Sequence, residues 1–252
     1  MDNILRNRLA AGEFLLGSHI NSSDPTLTEC MGQTGIDYIW IDTEHTAIDY
    51  KTLQLHLIAA RAAGCPTMVR VPWNEGHLAK RVLEMGPDAV VFPMIRSAEE
   101  GRKAIAACRY PPLGDRSFGP IRAADYGAIG AAAFAAQEPP CVFLQVEHID
   151  AVRCIDEILA LDGLDGIIFG PCDLSGSMHR LGRLDDQELN EAMDHVIARC
   201  RAMGIPAGIS LGLAPDGNLQ DWQQRGIQFM SVGNEYAFLQ KGLLALKQVL
   251  GK

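Results

Sequence analysis

Eight short runs rich in Ile, Val and Phe alternate with longer stretches of helical period, and no change of composition separates one pair from the next. A strand, a covering helix and then another strand is the rhythm of a parallel sheet wrapped by helices. The runs are Phe14 to Ile20, Tyr38 to Asp42, Thr67 to Val71, Ala89 to Pro93, Cys141 to Glu147, Gly166 to Phe169, Pro206 to Ile209 and Phe229 to Val232. Eight such units in 252 residues select one α/β domain, a (β/α)8 TIM barrel spanning 1–252, over two smaller domains.

Local signals agree with the period. Asp24-Pro25 starts a helix, since Asp accepts orphan N–H groups and Pro suits the first helical position. Asp49 to Ala63 carries Leu53, Leu57 and Ala60 on one face and is closed by Gly64. Further helices are expected at His77 to Met85, Ala98 to Cys108, Ile129 to Gln137, Ala151 to Leu161, Asp186 to Met203, Leu219 to Arg225 and Tyr236 to Leu250. A long irregular segment, Tyr110 to Gly127, interrupts the rhythm, and its aromatic and Arg content argues for a functional loop.

Composition removes several classes of function. Hydrophobic residues make up 48% of the chain, enough for a sizeable core, so a disordered chain is excluded. A net charge of −9 with no run of five Lys or Arg leaves nucleic acid without a binding patch. No apolar stretch reaches the roughly 18 residues of a membrane span. The 7 cysteines are scattered and never spaced as CxxC, which suits a reducing cytoplasm and argues against structural zinc.

In such barrels the chemistry gathers at the C-terminal ends of the strands. The polar residues there are His19, Asp42 with Glu44 and His45, Arg70, Gln145 with Glu147, Asp173 and Ser210. Gln145 and Glu147 alternate along one strand and share a face. Glu147 and Asp173, the latter in the Gly/Ser-rich loop GPCDLSGS, form a donor set suited to a hard divalent cation. Alternatively, Glu147 caps a helix or joins a salt bridge and Asp173 caps a turn. Arg70 ends an apolar run, where its guanidinium needs polar partners: a substrate carboxylate, or an internal carboxylate such as Asp42 or Glu147. His45, three residues after Asp42, can move a proton near neutral pH if a carboxylate orients it, or it is a loop residue bound to Asp42 for structural reasons. No strand ends in Lys, which excludes a Schiff-base mechanism, and no GxGxxG or P-loop supports a nucleotide.

Five segments in order, GIDYIWIDTEH (Gly35 to His45), VRVPWN (Val69 to Asn74), RYPPLGDRSFG (Arg109 to Gly119), LQVEH (Leu144 to His148) and GPCDLSGSM (Gly170 to Met178), together resemble the HpcH/HpaI family of class II, metal-dependent aldolases. The resemblance covers Gly17 to about Gly233. It implies a divalent metal, Mg²⁺, Mn²⁺ or Co²⁺, and reversible cleavage of a 4-hydroxy-2-oxo acid to pyruvate and an aldehyde through a metal-stabilised enolate. Carried onto this chain, Glu147 and Asp173 match the metal ligands. Arg70, Gln145 and the backbone at Cys172 match the pyruvate contacts. His45, assisted by Asp42, matches the base, and Glu84 matches an acidic residue that supports it, often across a subunit contact. The family forms trimers or hexamers, with the last helix, here about 236–250, exchanged between neighbours.

The chain departs from that pattern toward the substrate mouth. His19 stands near a position that is usually aromatic, Cys172 replaces a small Ala, and RSFGP (Arg116 to Pro120) replaces RGxG. A polar His19 points to a more polar or charged acceptor. Two further readings remain: a related condensation such as citrate formation from oxaloacetate and acetyl-CoA, and a non-catalytic binding barrel.

Overall fold

Successive side chains of a strand point to opposite faces, so every second residue of a barrel strand enters the interior. A computed structural model describes residues 3–212 and 219–251 and shows the closed barrel that the alternation calls for. Its strands are β1 (Leu15–Ile20), β2 (Tyr38–Asp42), β3 (Thr67–Arg70), β4 (Ala89–Phe92), β5 (Cys141–Val146), β6 (Gly166–Phe169), β7 (Ala207–Leu211) and β8 (Phe229–Asn234). Each pairs in parallel with the next, and β8 closes onto β1.

The helices are α1 (Ile4–Ala10), α2 (Pro25–Gly32), α3 (Tyr50–Ala62), α4 (Gly76–Glu84), α5 (Ala98–Cys108), α6 (Ala131–Ala135), α7 (Ile149–Arg153), α8 (Ile155–Leu159), α9 (Pro171–Ser177), α10 (Gln187–Met203), α11 (Leu219–Arg225) and α12 (Glu235–Val249). Side-chain caps fix their starts: Asp24 accepts from the Thr26 N–H, Asp49 from Thr52, Ser97 from Glu100 and Asp186 from Leu189. Among the described residues no helix is long and apolar enough to cross a membrane.

Two apolar layers result. The larger lies between the strands and the helices, with Ile39, Ile41, Val69, Val90, Val142 and Leu144 facing outward onto it. The smaller fills the barrel with Leu15, Tyr38, Trp40, Met68, Phe143, Ile168 and Phe229, and Leu5 and Leu9 of α1 join it. Large rings demand small neighbours there. A Cβ on Gly17 would fall 2.2 Å from the Tyr38 ring, and one on Gly208 would fall 2.2 Å from the Phe229 ring.

Three expectations about elements need correction. GPCDLSGS is not a loop: Pro171 opens α9 at once, so Asp173 sits on a helical first turn. The helix expected at Ala151 to Leu161 is two short ones, broken at Cys154 (φ −112°, ψ 27°). The segment 110–127 does not serve the barrel mouth within this chain. Tyr110 and Phe118 pack ring on ring at 5.4 Å, Arg116 lies 4.7 Å over the Tyr110 ring, and Arg116 is ion-paired at 3.3 Å with Glu84 on α4.

Candidate active site

The interior alternation carries each strand from apolar to polar as it rises. Tyr38 and Trp40 are followed by Asp42, Met68 by Arg70, Phe143 by Gln145 and then Glu147, and Gly208 by Ser210. The polar ends surround a cavity of about 430 Å³ whose walls include His19, Asp42, His45, Arg70, Gln145, Cys172, Asp173 and Ser210. A larger hollow of about 610 Å³ lies beside α1 at the foot of the barrel, where Arg6 and Asp165 are paired at 2.6 Å. The strand-end cavity holds the convergent polar groups, and it is the candidate site.

Arg70 is 8% exposed and anchors one wall. Its Nε donates to Asp42 Oδ1 at 3.0 Å and its Nη2 to Asp42 Oδ2 at 2.6 Å, a bidentate fork. Its Nη1 lies 3.0 Å from Glu44 Oε2, close enough for an ion pair although the atoms are not aligned for a hydrogen bond. Trp40 lies beneath the guanidinium, 5.6 Å from ring centre to Cζ. Burial opposes the charge of Asp42, but the hydrogen bonds from Arg70 outweigh it and hold the carboxyl below its usual range.

This pairing corrects the expectation that Asp42 orients His45. The carboxylate nearest His45 is Glu44, with Oε2 3.6 Å from Nε2, and the His45 side chain is 65% exposed at the cavity rim. Burial raises the Glu44 carboxyl, with Arg70 pulling the other way. Glu84, expected to support His45, is absent from the cavity walls and faces Arg116 instead, so within one chain the two do not meet.

Glu147 follows β5 and is 2% exposed. Its Oε1 accepts the Met94 N–H at 2.6 Å, and its Oε2 has no hydrogen-bond partner. Met94 donates from a left-handed conformation, φ 55°, which a side-chain-bearing residue adopts only at a cost. Burial pushes the Glu147 carboxyl up to about 8, and the negative charges of Glu44 and Asp173 contribute in the same direction. Gln145 Oε1 is likewise buried without a partner. Gly170 makes this crowding feasible, because a Cβ there would stand 2.3 Å from Glu147 Oε2 and 3.0 Å from Gln145 Nε2.

The buried Glu147 oxygen without a donor, held against Gly170, the Gln145 amide oxygen in the same condition and the exposed Asp173, the last two lining the cavity with Gly170, fit a divalent cation that keeps its other positions for water and substrate. Among the described residues no three His, Cys, Asp or Glu side chains form a closed metal cage. An open donor set of this kind suits a catalytic ion better than a structural one.

His19 enters from β1 and is 4% exposed. Its Nδ1 is 3.1 Å from the Gly233 carbonyl and 3.2 Å from Ser231 Oγ, and its Nε2 is 3.0 Å from Ser210 Oγ. Burial, with the nearby charge of Arg70, lowers its pKa to about 4, so the ring is neutral at pH 7. The alternation had already brought His19 and Ser210 to the mouth. It gave no sign of Met94, whose part is played by a backbone N–H, nor of Asn21 and Asn234, which also line the cavity.

Residues 15–240 match the HpcH/HpaI aldolase/citrate lyase family. A hydroxypyruvate/pyruvate aldolase of Roseovarius nubinhibens is 35% identical over 239 residues, covering 94% of this chain and 92% of the relative. A 4-hydroxy-2-oxo-heptane-1,7-dioate aldolase of Salmonella typhimurium is 31% identical over 253 residues, covering 100% and 95%. The crystal structure of an HpcH/HpaI aldolase/citrate lyase family protein from Burkholderia cenocepacia superimposes with a TM-score of 0.94 at 28% identity over 100% of both chains. Sequence and structural likeness thus extend over nearly all of the strands and helices that carry the cavity, and the chain belongs to the HpcH/HpaI aldolase/citrate lyase family.

Proposed function

We propose that the protein is a carbon–carbon lyase that reversibly cleaves a 4-hydroxy-2-oxo acid to pyruvate and an aldehyde. The observation that carries this reading is a donor-free buried carboxyl oxygen, Glu147 Oε2, packed against Gly170 of the cavity wall, together with the guanidinium of Arg70, which Asp42 fixes in that wall. Relatives named as aldolases, one of pyruvate and one of a 4-hydroxy-2-oxo acid, support the reaction class.

Glu147 and Asp173 would hold the divalent cation, Mg²⁺, Mn²⁺ or Co²⁺. Once bound, it supplies positive charge where the 2-oxo oxygen becomes negative. Arg70, whose orientation Asp42 fixes, turns its remaining N–H groups to the substrate carboxylate and the 2-oxo oxygen. Gln145 and the backbone at Cys172 complete the hold on the three-carbon end. His45, beside Glu44, takes the proton of the 4-hydroxyl. The C3–C4 bond then breaks, the electron pair passes through C3 into the 2-oxo group, and the aldehyde leaves; protonation of C3 yields pyruvate.

A second copy of the chain completes the protein in this reading. Leu239, Leu243, Leu246 and Leu250 form a stripe on α12 and the turn that ends it, and all are more than half exposed. A trimer or hexamer would cover that stripe and is where Glu84 would meet a neighbour's site. Free cysteines throughout the described residues accord with a cytoplasmic setting. Citrate formation from oxaloacetate and acetyl-CoA is less supported, because both sequence relatives described above are named as aldolases.

Pyruvate release from a 4-hydroxy-2-oxo acid, followed with lactate dehydrogenase and NADH, tests the reading. We expect EDTA to abolish release and Mn²⁺ to restore it. Glu147→Gln should lose at least about a hundredfold in kcat/KM, the scale of a lost charge-stabilising group. Full turnover in that variant, or thiol release from acetyl-CoA with no cleavage of the oxo acid, would refute it.

A further inference from the structure

The cavity has two unlike halves. On β2, β3, β5 and the start of α9 it is charged, with Asp42, Arg70 and Asp173. On the adjacent strands β7, β8 and β1, the described wall residues are Ser210, Leu211, Gly212, Asn234, His19 and Asn21, and none carries a formal charge when His19 is neutral.

Hydrogen bonding fixes which way the uncharged wall is polarised. The Gly233 carbonyl can only accept, so the 3.1 Å contact requires His19 Nδ1 to carry the proton. In the neutral ring Nε2 is then an acceptor, and the Ser210 hydroxyl, 3.0 Å away, must donate to it. Burial, which holds the ring neutral to about pH 4, keeps this arrangement throughout the physiological range. Ser210, half-buried on the cavity wall, has spent its only proton on His19 and faces the cavity with lone pairs alone. Asn21 on the same wall has a buried side-chain oxygen that also lacks a donor.

We infer that Ser210, polarised by His19, reads a hydroxyl group on the aldehyde partner, so that the preferred acceptors are uncharged hydroxyaldehydes and aldehydes bearing a carboxylate are disfavoured. The inference rests on the aldolase reading above. A hydroxyl can donate to Ser210, a methyl leaves the oxygen unsatisfied, and a carboxylate sets lone pairs against lone pairs. Ser210 touches the substrate; His19 acts through it and is a positioning residue.

Three two-carbon aldehydes differ only at the group in question: glycolaldehyde, acetaldehyde and glyoxylate. With pyruvate as donor and Mn²⁺ present, kcat and KM are measured for each. In Ser210→Ala the glycolaldehyde-to-acetaldehyde ratio of kcat/KM should fall about tenfold, mainly through KM, while the glyoxylate-to-acetaldehyde ratio rises. His19→Phe should reproduce that fall. His19→Gln, whose amide can donate to Gly233 and accept from Ser210, should restore part of it, which a merely structural role would not do. Ratios that do not move in Ser210→Ala, or glyoxylate falling together with glycolaldehyde, would overturn the inference while leaving the aldolase reading intact. Absence of aldol product from all three aldehydes with the wild-type protein would overturn both.

Discussion

Burial gives His19 a measurable signature. Its folded pKa is lowered to about 4, whereas the unfolded chain takes its proton near 6.5. The neutral ring therefore contributes stability that is fully present above pH 6.5 and is lost as pH falls toward 4. The scale is about 3 kcal/mol for a shift of this size. Urea denaturation between pH 7 and 4 should show the stability difference between wild type and His19→Gln shrinking by that order; a difference that does not vary with pH would contradict it. At this scale the sequence was legible wherever a side chain's direction follows from alternation, as for Asp42, Arg70, Gln145 and Glu147. It was not legible where a contact depends on which of two acids lies nearer. Asp42 and Glu44 are two residues apart, and only the register of β2 against β3, with Asp42 opposite Arg70, decides that Asp42 takes the fork and Glu44 is left beside His45.

Among the elements, the junction of β6 and α9 is the one on which the proposed ion site depends. Gly170 lets the backbone pass against Glu147, so Gly170→Ala must push the carboxylate aside. We expect Mn²⁺ affinity by calorimetry to weaken about 10- to 100-fold, the cost of disturbing a ligand's surroundings. Gly76→Ala, where the nearest atom is 3.5 Å away, should leave it as it was. Equal affinities in the Gly170→Ala protein and the wild type would contradict the assignment of Glu147. The strands were readable because an apolar run bounded by turn residues has few other fates. The helix at α9 was not, because Gly and Ser dominate GPCDLSGS and suggest a loop, yet Pro171 at the first helical position and packing of buried Leu174 and Ser175 outweigh that preference.

For the molecule as a whole, the barrel separates its two tasks by height. Rings and aliphatic chains fill the lower interior, and the charged and hydrogen-bonding groups occupy the rim. Its outer surface leaves the α12 leucine stripe uncovered, an unusual state for a stable monomer. Replacing Leu243 and Leu246 by Glu should therefore shift the mass found by light scattering from an oligomer to a smaller species; an unchanged mass, or a monomeric wild type, would contradict a covered stripe. The architecture was legible from the eightfold rhythm, since a right-handed sequence of βα units closes on itself in one common way. The path of residues 110–127 was not, because aromatic and Arg side chains look alike whether they serve a substrate or pack on one another. If this cavity draws electrons from a three-carbon oxo acid with the help of a divalent ion, the methyl protons of pyruvate should exchange in deuterated water. Loss of the methyl proton signal in the presence of Mn²⁺ or Co²⁺, stopped by EDTA and absent in Arg70→Ala, is the expected result; a methyl signal that persists with every divalent ion, or decays equally with EDTA, would contradict it.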